Sequence, residues 1–387
     1  MADTSVPTPD ASEATVSFVS EWFGHRVYPL VTNNAIALET QNSKMCPFLT
    51  QVTGDRTGCI KTAAASGICT ISSRSNGPRH DWLVCPFRAF SPSLLVTAAR
   101  YLFPDDLGAE PLIAPAPTLS KEEVRAAIRA KLSAREKCIV YLQNKLGGEI
   151  SLSRTDRSPE LSFDVTMVEL TLTNDQPAVD AFGILELQTM DFHGSYRAVV
   201  KNLEDALRLH RAGFHETLQH NQQWLREGIE GPNIANVFKR TFYQMMLKFK
   251  IGASDACTGC VLALPKSVWE SWQRHLGRPD LVLRENGLYE LGVPGQLSPM
   301  RSKTWIIIFD IDSQPSAGPS PLILDKVITT SAEALAYYAF DVAPSAAVSA
   351  DGPISSIVTQ VRLRLAQFWP ELALGLAAPR RLSRRPR

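Results

Sequence analysis

Ser158-Pro159-Glu160-Leu161-Ser162-Phe163-Asp164, followed by Gly183-Ile184-Leu185-Glu186-Leu187-Gln188, sets an isolated acid ahead of a Glu-x-Gln triplet inside an apolar run. Side chains alternate faces along a strand, so Ile184, Glu186 and Gln188 share one side while Leu185 and Leu187 take the other. A carboxylate among Phe182, Ile184, Leu185 and Leu187 is costly to bury unless something pairs with it. A hard divalent cation held by Asp164 and Glu186 would be such a partner, and it would polarise a phosphate and activate a water. On spacing alone, solvated strand faces or structural ion pairs are the commoner reading of such acids. The apolar flanks of Glu186 favour a site.

Working outward, the pattern predicts strands near 150–153, 161–170 and 182–188, then a helix from about Gly194 to Leu209 with Tyr196, Val199, Val200, Leu203 and Leu207 at helical spacing. Asn233 is placed to cap a further helix whose apolar face is Ile234, Val237, Phe238, Phe242, Met245 and Phe249. Strands are expected at 260–264 and over Thr304–Phe309, a loop at Pro315–Pro321, and an amphipathic helix over Ile354–Phe368. Upstream, Ser120-Lys121-Glu122-Glu123 fits a capping box opening a helix with Val124, Ile128 and Leu132 on one face. Pro111, Pro115 and Pro117 form a linker-like break. The expected organisation is a disordered segment 1–16, a small domain 17–118 ordered by metal, a catalytic and DNA-recognition domain 119–370, and a basic disordered tail 371–387.

A chain of 387 residues with 44% hydrophobic and 20% charged residues reads as a globular protein of one elaborated domain or two. No apolar run approaches the ~18 residues needed to span a bilayer. Met1–Thr15 is polar and acidic without a charged-then-apolar signal, so the cytoplasm is the expected location. A net charge of +1 is not the signature of a bulk nucleic-acid binder, yet a specific nuclease can be near neutral, because catalytic and cytosine-reading acids offset its phosphate-contacting bases, so charge balance neither supports nor opposes a DNA reading.

Seven cysteines, an odd number, argue for thiols over a disulfide framework. Cys46, Cys59, Cys69 and Cys85 fall within 40 residues, separated by 12, 9 and 15 others, without a Cys-x-x-Cys pair. Two readings stand for these four: buried inert thiols, or a tetrahedral thiolate site that orders an irregular segment. Cys257-Thr258-Gly259-Cys260 has no second pair and no neighbouring His, so it reads as packing thiols, as does Cys138 beside Ile139-Val140. Glu160 reads as a turn residue or a support behind the site, and His193 as a structural or phosphate-contacting residue. Arg197, Lys201, Lys239, Arg240 and Lys248 are expected on the polar faces of two helices beside the acids. Singly each is a solvated charge; together they are candidates for backbone contacts.

Asp164 with Glu186-x-Gln188 resembles the PD-(D/E)xK nuclease motif, with Gln where Lys is usual. More specifically, Gly147-Gly148-Glu149, Ser158 to Asp164 and Glu186 to Tyr196 resemble Type II restriction endonucleases that carry a four-cysteine iron site. So do Trp22-Phe23-Gly24-His25-Arg26-Val27-Tyr28-Pro29, Asp81-Trp82-Leu83-Val84-Cys85-Pro86 and Gly231 to Met245. The likeness covers most of residues 17–310 and thins beyond. It implies an α/β fold, with a central mixed sheet flanked by helices and an N-terminal four-cysteine metal-binding domain. It further implies catalytic Glu149, Asp164, Glu186 and Gln188, with Mg2+ on Asp164 and Glu186. Cys46, Cys59, Cys69 and Cys85 would hold structural iron, zinc being the alternative, and Arg197, Lys201, Lys239 and Arg240 would contact DNA. Gln188 cannot titrate, so it can only orient a water or phosphate oxygen.

The activity implied is Mg2+-dependent double-strand cleavage of DNA at a G·C-rich palindrome, 5′-GCGGCCGC-3′. It would be performed by a homodimer in the bacterial cytoplasm, paired with a cognate DNA methyltransferase. A catalytically silent, metal-stabilised DNA-binding protein is the alternative, disfavoured because the acids and Gln188 are intact. A glycosidase using paired acids is disfavoured because Gln188 has no proton-transfer role there.

Overall fold

The computed structural model describes residues 16–74, 78–104, 107–296, 302–312, 318–349 and 357–373. The expectations for 1–16 and for the basic tail lie outside them, save Val16 and the turn Pro370–Ala373. Part of the expected Pro315–Pro321 loop and the start of the expected Ile354–Phe368 helix also lie outside; the described helix there is Ile357–Leu365.

The first sheet is built from β1 (Phe18–Trp22), β2 (His25–Arg26), β3 (Ile68–Arg74) and β4 (Arg79–Leu83), all antiparallel, in the order β2-β1-β3-β4. Residues 17–118 are thus more regular than the irregular segment expected there. Helices α1 (Ala35–Asn42), α2 (Pro47–Thr53) and α3 (Pro92–Leu102) complete the segment. The expected linker is instead β5 (Leu112–Pro115), which pairs in parallel with β6 (Cys138–Gln143) at the edge of the large sheet. Prolines are tolerated there because an edge strand leaves ladder N–H positions unused.

The short hairpin β7 (Ser151–Leu152) and β8 (Leu161–Ser162) leads into the long antiparallel pair β9 (Val165–Thr173) and β10 (Gln176–Leu187). β11 (Phe192–Gly194) and β12 (Ile229–Pro232) form a separate two-stranded ribbon. Then come β13 (Cys260–Pro265), β14 (Val282–Leu283), β15 (Tyr289–Glu290), β16 (Thr304–Ile311) and β17 (Leu322–Thr329). The large sheet runs β14-β15-β17-β16-β13-β10-β9-β6-β5. It is mixed: β10, β13 and β16 pair in parallel, while β9 against β10 and β16 against β17 are antiparallel. The protein is therefore mixed α/β, a large mixed sheet flanked by helices.

Both faces of this sheet are covered, and the period of two shows it. On β13, Val261 and Ala263 join a core with Leu94, Leu95, Ala98 and Leu102 of α3, whereas Leu262 and Leu264 face the opposite core. That opposite core is closed by α7 (Ile234–Gly252) and α8 (Lys266–Trp272), numbered after α4 (Glu122–Ser133), α5 (Arg197–Leu209) and α6 (Phe214–His220). Cys46, Phe48, Cys69, Cys85 and Phe87 belong to the same core as Ile139, Ile307 and Val327 of the large sheet. α5 packs against the first sheet, with Val199, Leu203 and Leu207 beside Val19, Trp22 and Ile71.

Two expected caps do not form. Lys121, not Ser120, precedes α4; no side chain caps it, and the Ser120 hydroxyl donates to Pro117 O at 2.8 Å. Asn233 precedes α7 but makes no side-chain cap bond. The helix expected from Gly194 starts at Arg197, because β11 and a turn take the preceding residues. Among the described residues no helix is long and apolar enough to cross a membrane.

Candidate active site

β10 ends at Leu187, at the centre of the large sheet between β9 and β13. Alternation along it sends Leu185 into the core beneath α3 and Ile184 into the core beneath α7. Glu186 shares Ile184's face, and so meets α7. There the Lys248 ammonium pairs with Glu186 Oε2; the two side chains are 2% and 5% exposed. Thr241, seven residues earlier on α7, lies two turns away on the same helix face. Its hydroxyl donates to Gln188 Oε1. One face of one helix thus holds both members of the Glu-x-Gln pair.

Lys248 overturns an expectation. It is not on a polar face beside the acids but inside the protein, bonded to one of them. A signal was present: Lys248 stands three residues after Met245 and seven after Thr241, on the buried side of α7. A charge on an apolar face asks for a partner.

Asp164 sits immediately before β9, opposite the end of β10. Its backbone N–H donates to Glu186 Oε1 at 3.1 Å, and its Oδ2 accepts from Leu187 N–H at 3.0 Å. These reciprocal bonds lock the two acids side by side. Burial raises the Glu186 carboxyl most, the charge of Asp164 adds to it, and Lys248 pulls back; the balance pushes it up to about 8.

Asp164, Glu149, Gln188, Lys145, Arg240 and Gln244 line a cleft of about 440 Å³. Glu149 reaches it because Gly147 and Gly148 both adopt left-handed φ, 97° and 92°, turning the chain sharply after β6. Glu186, bonded to the Asp164 N–H, does not itself line the cleft. Gln188 is held at both ends of its amide: Oε1 by Thr241, and Nε2 by donation to Thr189 O. Arg240 Nη2 donates to Asp191 Oδ2 at 3.0 Å on the rim. Lys145 and Gln244 were not singled out in the sequence, since nothing in their local pattern marks them.

The other expected contact residues scatter. Lys239 is exposed on α7, whereas Arg197 and Lys201 are exposed on α5, which packs on the first sheet, and neither lines this cleft. Glu160 and His193 are exposed. Cys257, Cys260 and Cys138 are buried thiols.

Cys46, Cys69 and Cys85 are buried, Cys59 is half-buried, and all four are free. Burial pushes Cys46 up to about 11, with the charges of Cys85 and Cys59 adding, and raises Cys69, with Cys85 and Glu21 adding. Gly67 links two of them, its N–H donating to Cys59 Sγ and its carbonyl accepting from Cys69 Sγ, each at 3.3 Å. Arg88 stands beside these thiols. It is buried and bonds Glu21 through Nε at 2.8 Å and Nη2 at 3.0 Å, and reaches Ser320 O at 2.5 Å.

Among the described residues no group of three or more His, Cys, Asp or Glu side chains stands at the spacing that holds a metal ion. The four thiols share one region and have the donor chemistry of an iron or zinc site, but they do not close into a shell. The acids are a pair with Glu149 apart. A pair is compatible with Mg2+, which keeps most of its waters and takes one or two carboxylates plus substrate phosphate. Compared with known proteins, the chain matches no family model and no curated protein.

Proposed function

We propose that this chain is a metal-dependent endonuclease of the PD-(D/E)xK kind, a Type II restriction enzyme cutting both strands of DNA. The observation that carries the reading is the locked Asp164–Glu186 pair at the end of a central strand, beside a cleft lined by Glu149, Gln188, Lys145 and Arg240. A carboxyl buried against a second acid is the environment a cation relieves. Mg2+ bound by Asp164 and Glu186 would supply an activated water and neutralise charge on the phosphate.

The protein's own groups do the rest. The two backbone bonds fix both carboxylates, so neither must be ordered when substrate arrives. Lys248 offsets the charge of Glu186 and does not line the cleft. Gln188, its amide pinned by Thr241 and Thr189, orients a water or a phosphate oxygen and moves no proton. Arg240 and Lys145 stand on the cleft wall where a phosphate would lie. The products are a 5′-phosphate and a 3′-hydroxyl.

The four thiols are proposed as a structural iron site, with zinc as the other occupant. The enzyme is proposed to act as a homodimer, since a two-fold target mirrors a two-fold protein. The proposed target is 5′-GCGGCCGC-3′, resting on the sequence resemblance described above. Incubating the protein and Mg2+ with a plasmid carrying one such octamer, then mapping the ends, tests the reading. A linear product cut inside the octamer supports it. Cutting at a shorter GGCC-centred site retires the octamer alone, and binding without cleavage at any Mg2+ concentration favours the silent DNA-binding protein.

A further inference from the structure

A second cleft, of about 580 Å³, opens at the start of α7, lined by Ile234, Ala235, Glu270, Arg274, His275 and Arg278 among others. Its charge is lopsided. Arg274, Arg278 and the nearby Lys239 are exposed and form no ion pair within 4.0 Å among the described residues. The acid on the cleft wall, Glu270, is faced by His80 at 3.4 Å. The His275 ring stacks on Phe238 with centroids 4.5 Å apart. Burial, then the charge of Lys239, keep that imidazole below its ordinary value, so it is a neutral polar surface and not another cation.

The two clefts lie along one helix. Ala235 of α7 lines the second and Arg240 and Gln244 line the first. Between them Asn236, Lys239, Arg240, Tyr243 and Gln244 face solvent at helical spacing. Ala235 to Gln244 covers about 14 Å of helix at roughly 1.5 Å per residue. That matches the rise of about four base pairs at about 3.4 Å each. Unpaired cations set a few base-pair steps from a phosphate-cleaving centre, on a continuous exposed stripe, suit the regular charge of a duplex.

We infer that Arg274, Arg278 and Lys239 form a second contact surface for the DNA backbone, binding phosphates about four base pairs from the scissile one without reading sequence. This rests on the nuclease reading and adds to it a place where the duplex continues beyond the cleft. The role follows from chemistry: exposed cations that meet phosphate oxygens fix register and supply affinity, and carry no base information.

The test measures dissociation constants against potassium chloride concentration by fluorescence anisotropy. The probe is a labelled duplex of about 30 base pairs, with Mg2+ omitted so that no cleavage occurs. Arg278 has φ 55°, so asparagine is the conservative replacement there. The double variant Arg274→Gln, Arg278→Asn is expected to lower the slope of log affinity against log salt by about 1.8, two phosphates at roughly 0.9 each. It should weaken target and random duplexes alike. Arg274→Lys with Arg278→Lys should keep the wild-type slope, and Arg129→Gln on α4 should leave it unchanged. Thermal melting by circular dichroism should be the same for all, because these side chains are exposed. A wild type that binds duplex with a slope the double variant does not change overturns the inference and spares the nuclease reading. A wild type that binds no duplex removes both.

Discussion

Lys248 and Glu186 form an ion pair inside the protein, their side chains 2% and 5% exposed, one on α7 and the other on the strand at the sheet's centre. A buried pair gains Coulomb energy but loses the hydration of both ions, so its net value is small. Breaking it is a different matter, because the remaining charge is stranded.

Lys248→Met should therefore destabilise the protein by about 3–5 kcal/mol above neutral pH. Adding Glu186→Gln to it should recover most of that loss, since both charges are then gone. Urea denaturation followed by tryptophan fluorescence measures this. A single variant as stable as the wild type would mean that the pair carries no such role.

Asp164→Asn and Glu186→Gln should each slow cleavage by about 1,000-fold, equivalent to roughly 4 kcal/mol of transition-state stabilisation. Target binding without Mg2+ should stay within a few-fold of wild type. Glutamine is preferred to alanine at 186 because it leaves less of a void beside Lys248. Gln188→Ala should cost less, about tenfold, as it orients and does not bind charge. Near wild-type cutting by either acid variant refutes the site.

The position of the Glu186 titration gives a pH signature. Its carboxyl is held near 8 in the folded protein against an ordinary 4.5, so the fold binds a proton that the unfolded chain releases. Stability from this group is complete below about 4.5 and is lost as pH rises through about 8. Cleavage should move the other way, rising over the same range, because the ionised carboxylate is the form that holds a cation. Raising Mg2+ should shift that midpoint down. Glu186→Gln should remove this part of the stability slope, and a variant with the wild-type slope would assign the titration elsewhere.

Freshly purified protein should carry about one metal per chain, and Cys69→Ser or Cys59→Ser should lose it. Elemental analysis gives the stoichiometry, while visible absorption separates thiolate-bound iron from zinc. Folded, metal-free protein would leave these thiols as packing groups, the other reading their spacing allowed.

Legibility in the sequence followed the strength of local rules. The face shared by Glu186 and Gln188 was readable because a strand has period two, and α7 meets both residues on that face. The helices α5 and α7 were readable from apolar spacing. Lys248 was misplaced because its neighbours Lys239 and Arg240 are exposed; only its register against Thr241 and Met245 separates it from them. β5 was misread because its prolines sit on a sheet edge, a position that depends on strands far away in sequence. The failed capping box has a local cause, since the helix opens one residue late, with Lys121 in the cap position and Ser120 outside it. The second cleft was invisible, since Arg274 and Arg278 approach α7 through the packing of Trp272 and His275 on Phe238.

The core that joins Cys46, Phe48 and Phe87 to Ile139, Ile307 and Val327 makes the cysteine-bearing segment unfit for transplantation. Expressed alone, it would leave in water the apolar surface that the large sheet now covers. The remainder would lose α3, Phe48 and Phe87, and with them cover over one face of the sheet. Recombining halves of this protein with those of another would therefore fail at the seam unless both sides of that core moved together.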